Sequence, residues 1–364
     1  MNIKSIKLKN FRNYSNLSVD FSKNNNIIYG LNAQGKTNLI EAIYFVSTLK
    51  SFRTSKNREI IKFNEQNLDI ECIFSVKDRE YTEKINYSID NKYKISINGV
   101  SYKSRNQVLG KIKTVVFCPD DLYLVKDSPS ARRNFLDETL IQFRPKYHKL
   151  LTDFNKYIKE KNHILKNLDK KPQMYDLIDD YNAKIAELSA EISLIRSNFL
   201  KLLCNEASII YSEVCGDIEN FSLSYTTKLT APSKSVQQNI EEYEKLLEIY
   251  REREKMAKSC LIGCHKDDIG FFINENHARE FASQGQIRSI VLSLKLAVRE
   301  LHFKDCGVYP ILILDDVLSE LDNHRKQYVT HKIKNGQVLI TTPYIDQIDL
   351  PAKTFYIENG AFKE

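Results

Sequence analysis

The sequence has no apolar run close to the roughly 20 residues that a membrane-spanning helix needs, which argues against an integral membrane protein. Nor does a signal-peptide core follow Met1: an alternating strand pattern begins almost at once, and a cytoplasmic location is the expectation. Cysteine is sparse. Cys72, Cys118, Cys204, Cys215, Cys260, Cys264 and Cys306 are odd in number and scattered, as reduced and mostly buried thiols are. Only Cys260, Cys264 and His265 cluster, and a zinc site would need a fourth ligand and a second paired cluster that the chain lacks. Internal repeats and low-complexity linkers are missing as well, and with 42% hydrophobic residues a disordered chain is not the default.

What is present begins with charge. The 364 residues carry a formal net charge of +7 with 28% charged residues, a mild basic bias that suits contact with phosphates and equally suits a solvated lysine-rich surface. Much of the surplus sits at the start, where Lys4, Lys7, Lys9, Arg12, Lys23, Lys36, Lys50, Arg53, Lys56 and Arg58 face only Asp20, Glu41 and Glu59.

The first third reads as strands. Ile6 and Leu8, then Leu17, Val19 and Phe21, then Ile70, Cys72, Phe74 and Val76, then Ile85, Tyr87 and Ile89 alternate with polar residues, and Ile95-Ser96-Ile97 runs into an Asn98-Gly99 turn. One interruption stands out: Asn26-Ile27-Ile28-Tyr29 stops at Gly30, and from Lys36 the apolar spacing of Leu39, Ile40, Ile43, Tyr44 and Val46 is helical. The middle third is helical. Ile178, Tyr181, Ile185, Leu188, Ile192, Ile195, Phe199 and Leu202 form a heptad seam, preceded across Pro172 by Tyr147, Leu151, Phe154, Ile158 and Leu165. A short antiparallel helical hairpin and two ordinary core helices both fit this pattern. In the last third, Ile311-Leu312-Ile313-Leu314 and Gln337-Val338-Leu339-Ile340 are continuous apolar runs, as expected of parallel strands buried on both faces. The expected layout is therefore an α/β part over 1–125, a helical lobe over 126–260, and a return to the α/β part over 261–364.

Gly30-Leu31-Asn32-Ala33-Gln34-Gly35-Lys36-Thr37 fits the P-loop pattern and lies between a strand and a helix, the context that pattern requires. Glycines at 30 and 35 let the backbone form a nest whose N–H groups face phosphate, and the following helix adds its positive end. Lys36 supplies a point charge for the β- and γ-phosphates of ATP, and Thr37 offers a hydroxyl to Mg²⁺. The strand ending at Asp315 would deliver a second Mg²⁺ ligand, with Asp316 placed to orient or polarise the attacking water. Alternatively, the two acids cap the next helix. Ser283-Gln284-Gly285-Gln286 opens a strongly amphipathic helix; alone it reads as a plain N-cap with a flexible glycine.

Ahead of the strand that ends at Asp315, however, this turn is similar to the signature turn of ABC-type ATPases, and Ser319-Glu320-Leu321-Asp322 is similar to their D-loop. More broadly, the chain resembles the RecF family of the structural-maintenance and ABC-like group, nearly end to end. The likeness is carried by Leu8-Lys9-Asn10-Phe11-Arg12-Asn13-Tyr14, by Gln34-Gly35-Lys36-Thr37-Asn38-Leu39-Ile40-Glu41-Ala42-Ile43-Tyr44 and by Ser51-Phe52-Arg53. It continues through Pro119-Asp120-Asp121-Leu122-Tyr123-Leu124-Val125-Lys126 and Arg132-Arg133-Asn134-Phe135-Leu136-Asp137, then Ala282 to Gln286 and Leu314 to Asp322.

The resemblance implies an α/β fold: an ABC-type P-loop ATPase head with an inserted helical lobe bearing a short helical hairpin. It implies ATP and Mg²⁺ held between two copies of the chain, with the Gly30–Thr37 loop and Asp315 of one facing Ser283, Gly285 and Gln286 of the other. Lys36 and Asp316 would be the catalytic groups, and ATP would act as a switch for a DNA clamp. It further implies a weak DNA-dependent ATPase of recombinational repair, replication and the SOS response, nucleoid-associated in the cytoplasm. Such a protein acts at gapped single-stranded/double-stranded junctions and has RecR, RecO and RecA as partners. Arg53, Lys56, Arg58, Arg132 and Arg133 are the expected DNA contacts.

Two departures from the family pattern stand out, and one departure from transporters that the family shares. Ala33 replaces a usual glycine, a change that a position outside the left-handed region tolerates. Cys264 and Lys266 stand where proline and arginine are common, and lysine loses the planar fork. Thr341-Thr342 occupies the place of a transporter's switch histidine, which speaks against a transporter subunit, as does the long stretch between Lys36 and Ser283. A nuclease of the overcoming-lysogenization type would need a further metal-binding domain, for which no room is expected. An architectural clamp with very slow hydrolysis fits too, since Asp316 is a methylene shorter than the glutamate common there.

Overall fold

The computed structural model describes every residue except Lys171, Asp217, Ser233, Lys234, Asp349, Asn359 and Glu364. Strands β1 (Asn2–Phe11), β2 (Tyr14–Asp20) and β3 (Asn25–Tyr29) lead into helix α1 (Lys36–Thr48), and β4 (Asn67–Val76), β5 (Arg79–Ser88), β6 (Tyr93–Ile97), β7 (Val100–Tyr102) and β8 (Thr114–Phe117) follow. The middle of the chain is α2 (Pro129–Phe143), α3 (Lys146–Asn167), α4 (Ile178–Cys215), β9 (Phe221–Thr226), α5 (Val236–Ile249), α6 (Arg251–Ala257), β10 (Asp268–Ile273), β11 (Asn276–His277) and α7 (Ala278–Phe281). The last part comprises α8 (Gln284–Cys306), β12 (Ile311–Asp315), α9 (Asn323–Lys332), β13 (Val338–Thr342), β14 (Lys353–Glu358) and β15 (Ala361–Lys363).

These elements form two compact units, one of Met1–Leu122, Glu213–Gly216 and Gln284–Glu364, the other of Tyr123–Ser212 and Asp217–Ser283. The return to the first unit thus comes at Gln284, later than the expected 261. The reason is strand pairing: β10 is antiparallel to β9 along its whole length, which keeps residues 261–283 with the helical unit.

The first unit stacks two six-stranded sheets around α1. One is antiparallel, in the order β2-β1-β4-β5-β6-β7; the other runs β15-β14-β3-β13-β12-β8 and is parallel except for β15. The alternating strands bury one face, and Ile6, Leu8, Ile70, Cys72, Ile85 and Tyr87 join Leu39, Ile40 and Ile43 of α1 in a single apolar cluster. The continuous runs behave differently: every residue of β8, β12 and β13 is buried, because helices and sheet cover both faces.

In the second unit, α3 and α4 form an antiparallel hairpin. Ile164 and Leu165 meet Ile178 at its tip, and farther from the tip Tyr157 packs on Tyr181 with ring centroids 5.9 Å apart. Of the heptad seam, Ile178, Ile185, Ile192 and Phe199 are buried, whereas Leu202 is 57% exposed, so the seam closes before that residue. Among the described residues no helix is long and apolar enough to cross a membrane.

Candidate nucleotide site

The loop from β3 to α1 needs its glycines twice over. Gly30 has φ 146° and Gly35 φ 114°, values that side chains disfavour. A Cβ on Gly30 would sit 2.3 Å from the Ile357 carbonyl oxygen, and one on Gly35 would sit 2.8 Å from the Tyr14 hydroxyl. Ala33 lies at φ 66°, in the left-handed region. The expectation of an unstrained alanine is therefore corrected: Cβ crowding there costs about 1–2 kcal/mol. The surroundings hold the loop in place. Tyr14 Oη donates to the Gly35 carbonyl at 2.8 Å, and the Gly360 N–H donates to the Gln34 carbonyl at 3.1 Å. Helix α1 starts directly at Lys36 with no side-chain cap, so its first N–H groups stay available to an anion. Lys36 Nζ donates to the carbonyls of Gly30 (2.5 Å) and Leu31 (2.9 Å). Burial pushes the Lys36 ammonium pKa down, while Asp316 and Asp315 pull it back up.

The strand β12 delivers Asp315 to the same place. Thr37 Oγ1 donates to Asp315 Oδ1 at 3.1 Å, and Thr341 Oγ1, from the end of β13, donates to the same oxygen at 2.7 Å. Burial raises the Asp315 carboxyl pKa, against the two hydroxyl donors. Asp316 is itself left-handed, at φ 54°, a strain of the kind that collects at working sites. Its N–H donates to Thr341 Oγ1 (3.0 Å) and its carboxylate accepts from Ser319 Oγ (3.2 Å). Burial raises its pKa too. Asn32, Ala33, Lys36, Thr37, Asp315 and Asp316 thus share one cleft of about 320 Å³. A hydroxyl and a carboxylate converging at hydrogen-bond distance are hard oxygen donors, the set Mg²⁺ prefers when nucleotide phosphates complete its shell. Thr37 and Asp315 fit such an ion by their donor chemistry and their 3.1 Å contact; among the described residues there is no cluster of three or more His, Cys, Asp or Glu.

Gly285 and Gln286 lie in the first turn of α8, directly after Ser283. The P-loop cleft is not lined by Gly285 or Gln286. Instead, the start of α8 is held by the D-loop segment. Arg325, at the start of α9, donates to the Gly285 carbonyl (3.1 Å) and Ser289 Oγ (2.9 Å), and Arg288 pairs with Glu320 at 2.9 Å. Asp322 caps α9 by accepting from the Arg325 N–H at 2.9 Å. Sequence patterns missed Arg325 and Arg288; the only local hint was a cap-type Asp322 followed by an arginine.

The five expected DNA contacts separate. Lys56 and Arg58 are exposed. Arg53 lines the nucleotide cleft, donating to Asn38 Oδ1 at 2.7 Å and lying 3.6 Å from Glu41, which also takes a bidentate bond from Arg12. Arg132 is corrected outright. It is 2% exposed and makes two 2.8 Å bonds to Asp268, so phosphate cannot reach it. Arg133 donates to the Asp267 carbonyl at 2.7 Å. Beside it, Arg196 forks onto Asp137 and donates to the Cys264 carbonyl, while Asp267 accepts from Ser193 and Tyr225. The Gly263–Asp268 motif is therefore a buried polar tie of the helical unit. Within it Cys264 is buried and Lys266 exposed, so losing arginine's fork at 266 leaves the tie intact.

Known proteins agree with this arrangement. The family model for the RecF/RecN/SMC N terminal domain matches residues 2–356. The chain is 36% identical to the DNA replication and repair protein RecF of Clostridioides difficile, covering 99% of this chain and 97% of that one. To RecF of Halalkalibacterium halodurans it is 37% identical over the full length of both. A solved structure described as the recombination mediator protein RecF-ATP in the RecFOR pathway superposes with a TM-score of 0.93 at 32% identity, covering 99% of this chain and 96% of that one. With an ABC-type P-loop ATPase head, an inserted helical lobe and likeness of this extent, the chain belongs to the RecF family of DNA replication and repair proteins.

Proposed function

We propose that this chain is an ATP-gated DNA clamp of recombinational repair and replication-fork maintenance. Two copies would enclose ATP, with Lys36, Thr37 and Asp315 of one opposite Ser283, Gly285 and Gln286 of the other. A ligand shared between subunits favours their association by mass action, so ATP closes the clamp and hydrolysis releases it. Lys36 would hold the β- and γ-phosphates, and bound Mg²⁺ would neutralise the charge that develops on the phosphoryl oxygens. Asp316 would orient the water. Its short side chain suits slow, DNA-stimulated turnover. The clamp would act at single-stranded/double-stranded junctions of gapped DNA and help load the recombinase RecA together with RecR and RecO, nucleoid-associated in the cytoplasm. Lys56 and Arg58 are the basic residues left free to contact phosphates there.

The observation that supports the reading most is the Thr37–Asp315 contact at 3.1 Å, which joins the strand-loop-helix to the carboxylate strand in one cleft. Two variants test it. Lys36→Met should lose nucleotide binding, and Asp316→Asn should keep ATP and accumulate a dimer. An Asp316→Asn protein that stays monomeric with ATP bound would sink the clamp.

A further inference from the structure

The antiparallel sheet of the first unit has a second face, which its apolar core does not use. Strand register sets two polar rows straight across it. One is Ser18, Lys7, Glu71, Lys84, Ser96 and Ser101; the next is Asn16, Lys9, Asp69, Asn86 and Lys94. Together they line a groove of about 630 Å³. Four lysines meet two carboxylates there, and the carboxylates are already engaged: Glu71 accepts from Lys7 (3.1 Å) and Lys84 (2.9 Å), Asp69 from Asn86 (2.8 Å). Lysine hydrogen bonds, first Lys84 and then Lys7, hold the Glu71 carboxyl below its usual range. Lys9 and Lys94 are exposed and have no ion-pair partner among the described residues. The groove therefore keeps a positive surplus, and Asn16, Ser18, Asn86, Ser96 and Ser101 are among the residues that line it.

We propose that this groove seats the sugar-phosphate backbone of duplex DNA, a surface that rests on the DNA-binding reading above and adds to Lys56 and Arg58. Lysines supply counterion-releasing contacts, and serine and asparagine supply the hydrogen bonds to phosphate oxygens that fix register without reading sequence. The described residues lining the groove include no aromatic side chain, so unpaired bases find no stacking platform, and a duplex is the fitting occupant rather than a single strand. Spacing agrees. Lys9 on β1 and Lys94 on β6 are three strand intervals apart, roughly 14 Å at the usual inter-strand spacing. The major groove between the two phosphate backbones of a duplex is about 12 Å wide.

The test titrates the full chain with a short blunt duplex at several salt concentrations, followed by fluorescence anisotropy. Two variants bracket the groove. Lys9→Gln/Lys94→Gln removes the two unpaired cations from exposed positions and should weaken binding about 10- to 100-fold at 0.1 M salt, with the salt slope shallower by about 2. Glu71→Gln frees Lys7 and Lys84 and should tighten binding and steepen the slope, an effect that a damaged fold does not produce. Both should bind nucleotide as the unaltered protein does. Affinities and slopes indistinguishable from the unaltered protein in both variants would overturn the proposal. An unaltered protein that binds no duplex at any salt, with or without ATP, would overturn the DNA-binding reading itself.

Discussion

Arg132→Ala separates a structural arginine from a DNA contact. In the native protein the Arg132 side chain is 3% exposed and its guanidinium donates two 2.8 Å bonds to Asp268, whose side chain is 30% exposed, with a further bond to the Asp127 carbonyl. Removing the guanidinium strands a half-buried carboxylate and a carbonyl. Breaking one side of a buried pair costs about 3–5 kcal/mol, and the partial exposure of Asp268 places this case near the lower end. At about 2–4 °C per kcal/mol, the helical unit should melt roughly 6–12 °C lower. Arg132→Lys should recover only part of this, since lysine cannot fork. The pH dependence has a definite sign. Burial would raise the Asp268 carboxyl pKa, but the hydrogen bonds from Arg132 and the Ile269 N–H outweigh it and hold the pKa below the ordinary value. A depressed native pKa stabilises above the usual aspartate range, about pH 4, and the contribution is lost as pH falls through the lower native value. The alanine variant's deficit should therefore be full at pH 7 and shrink in acid. Thermal melting by circular dichroism measures the deficit, with DNA affinity taken below the transition. An unchanged melting temperature together with weakened DNA binding would make Arg132 a DNA contact after all.

Two other outcomes are expected. Glu83 is 3% exposed on the core side of β5, and burial raises its carboxyl pKa to about 8, with Lys111 opposing. A raised acid loses stability as pH climbs toward its native value, so Glu83→Gln should stabilise by up to about 3 kcal/mol at pH 7 and by nothing near pH 4; equal melting temperatures at pH 7 would contradict this. Arg325→Ala removes two bonds from the start of α8, each worth about 1.5–3 kcal/mol as charged hydrogen bonds. It should weaken ATP-dependent dimerisation at least tenfold while calorimetry on protein dilute enough to stay monomeric finds nucleotide affinity within about twofold, and equal loss of both would refute a positioning role.

Local structure was legible in the sequence. The P-loop, the strand ending at Asp315 and the buried runs 311–314 and 337–340 depend on patterns a few residues long, and each stands where the pattern placed it. Long-range pairing was not legible. Arg132 looked like a DNA contact because its partner Asp268 lies 136 positions away, and only the folded helical unit brings them together. The same pairing of β9 with β10 moved the return boundary to Gln284. The strain at Ala33 depends on a backbone angle that composition does not encode, and the lysine rows of the antiparallel sheet become visible only through strand register.

The measurement that tests the clamp most directly is analytical sedimentation of the protein with gapped DNA, with and without Mg²⁺-ATP, alongside phosphate release. A DNA-bound dimer should form only with ATP, and DNA should accelerate hydrolysis. A nucleotide-bound monomer, indifferent to DNA, would contradict the clamp.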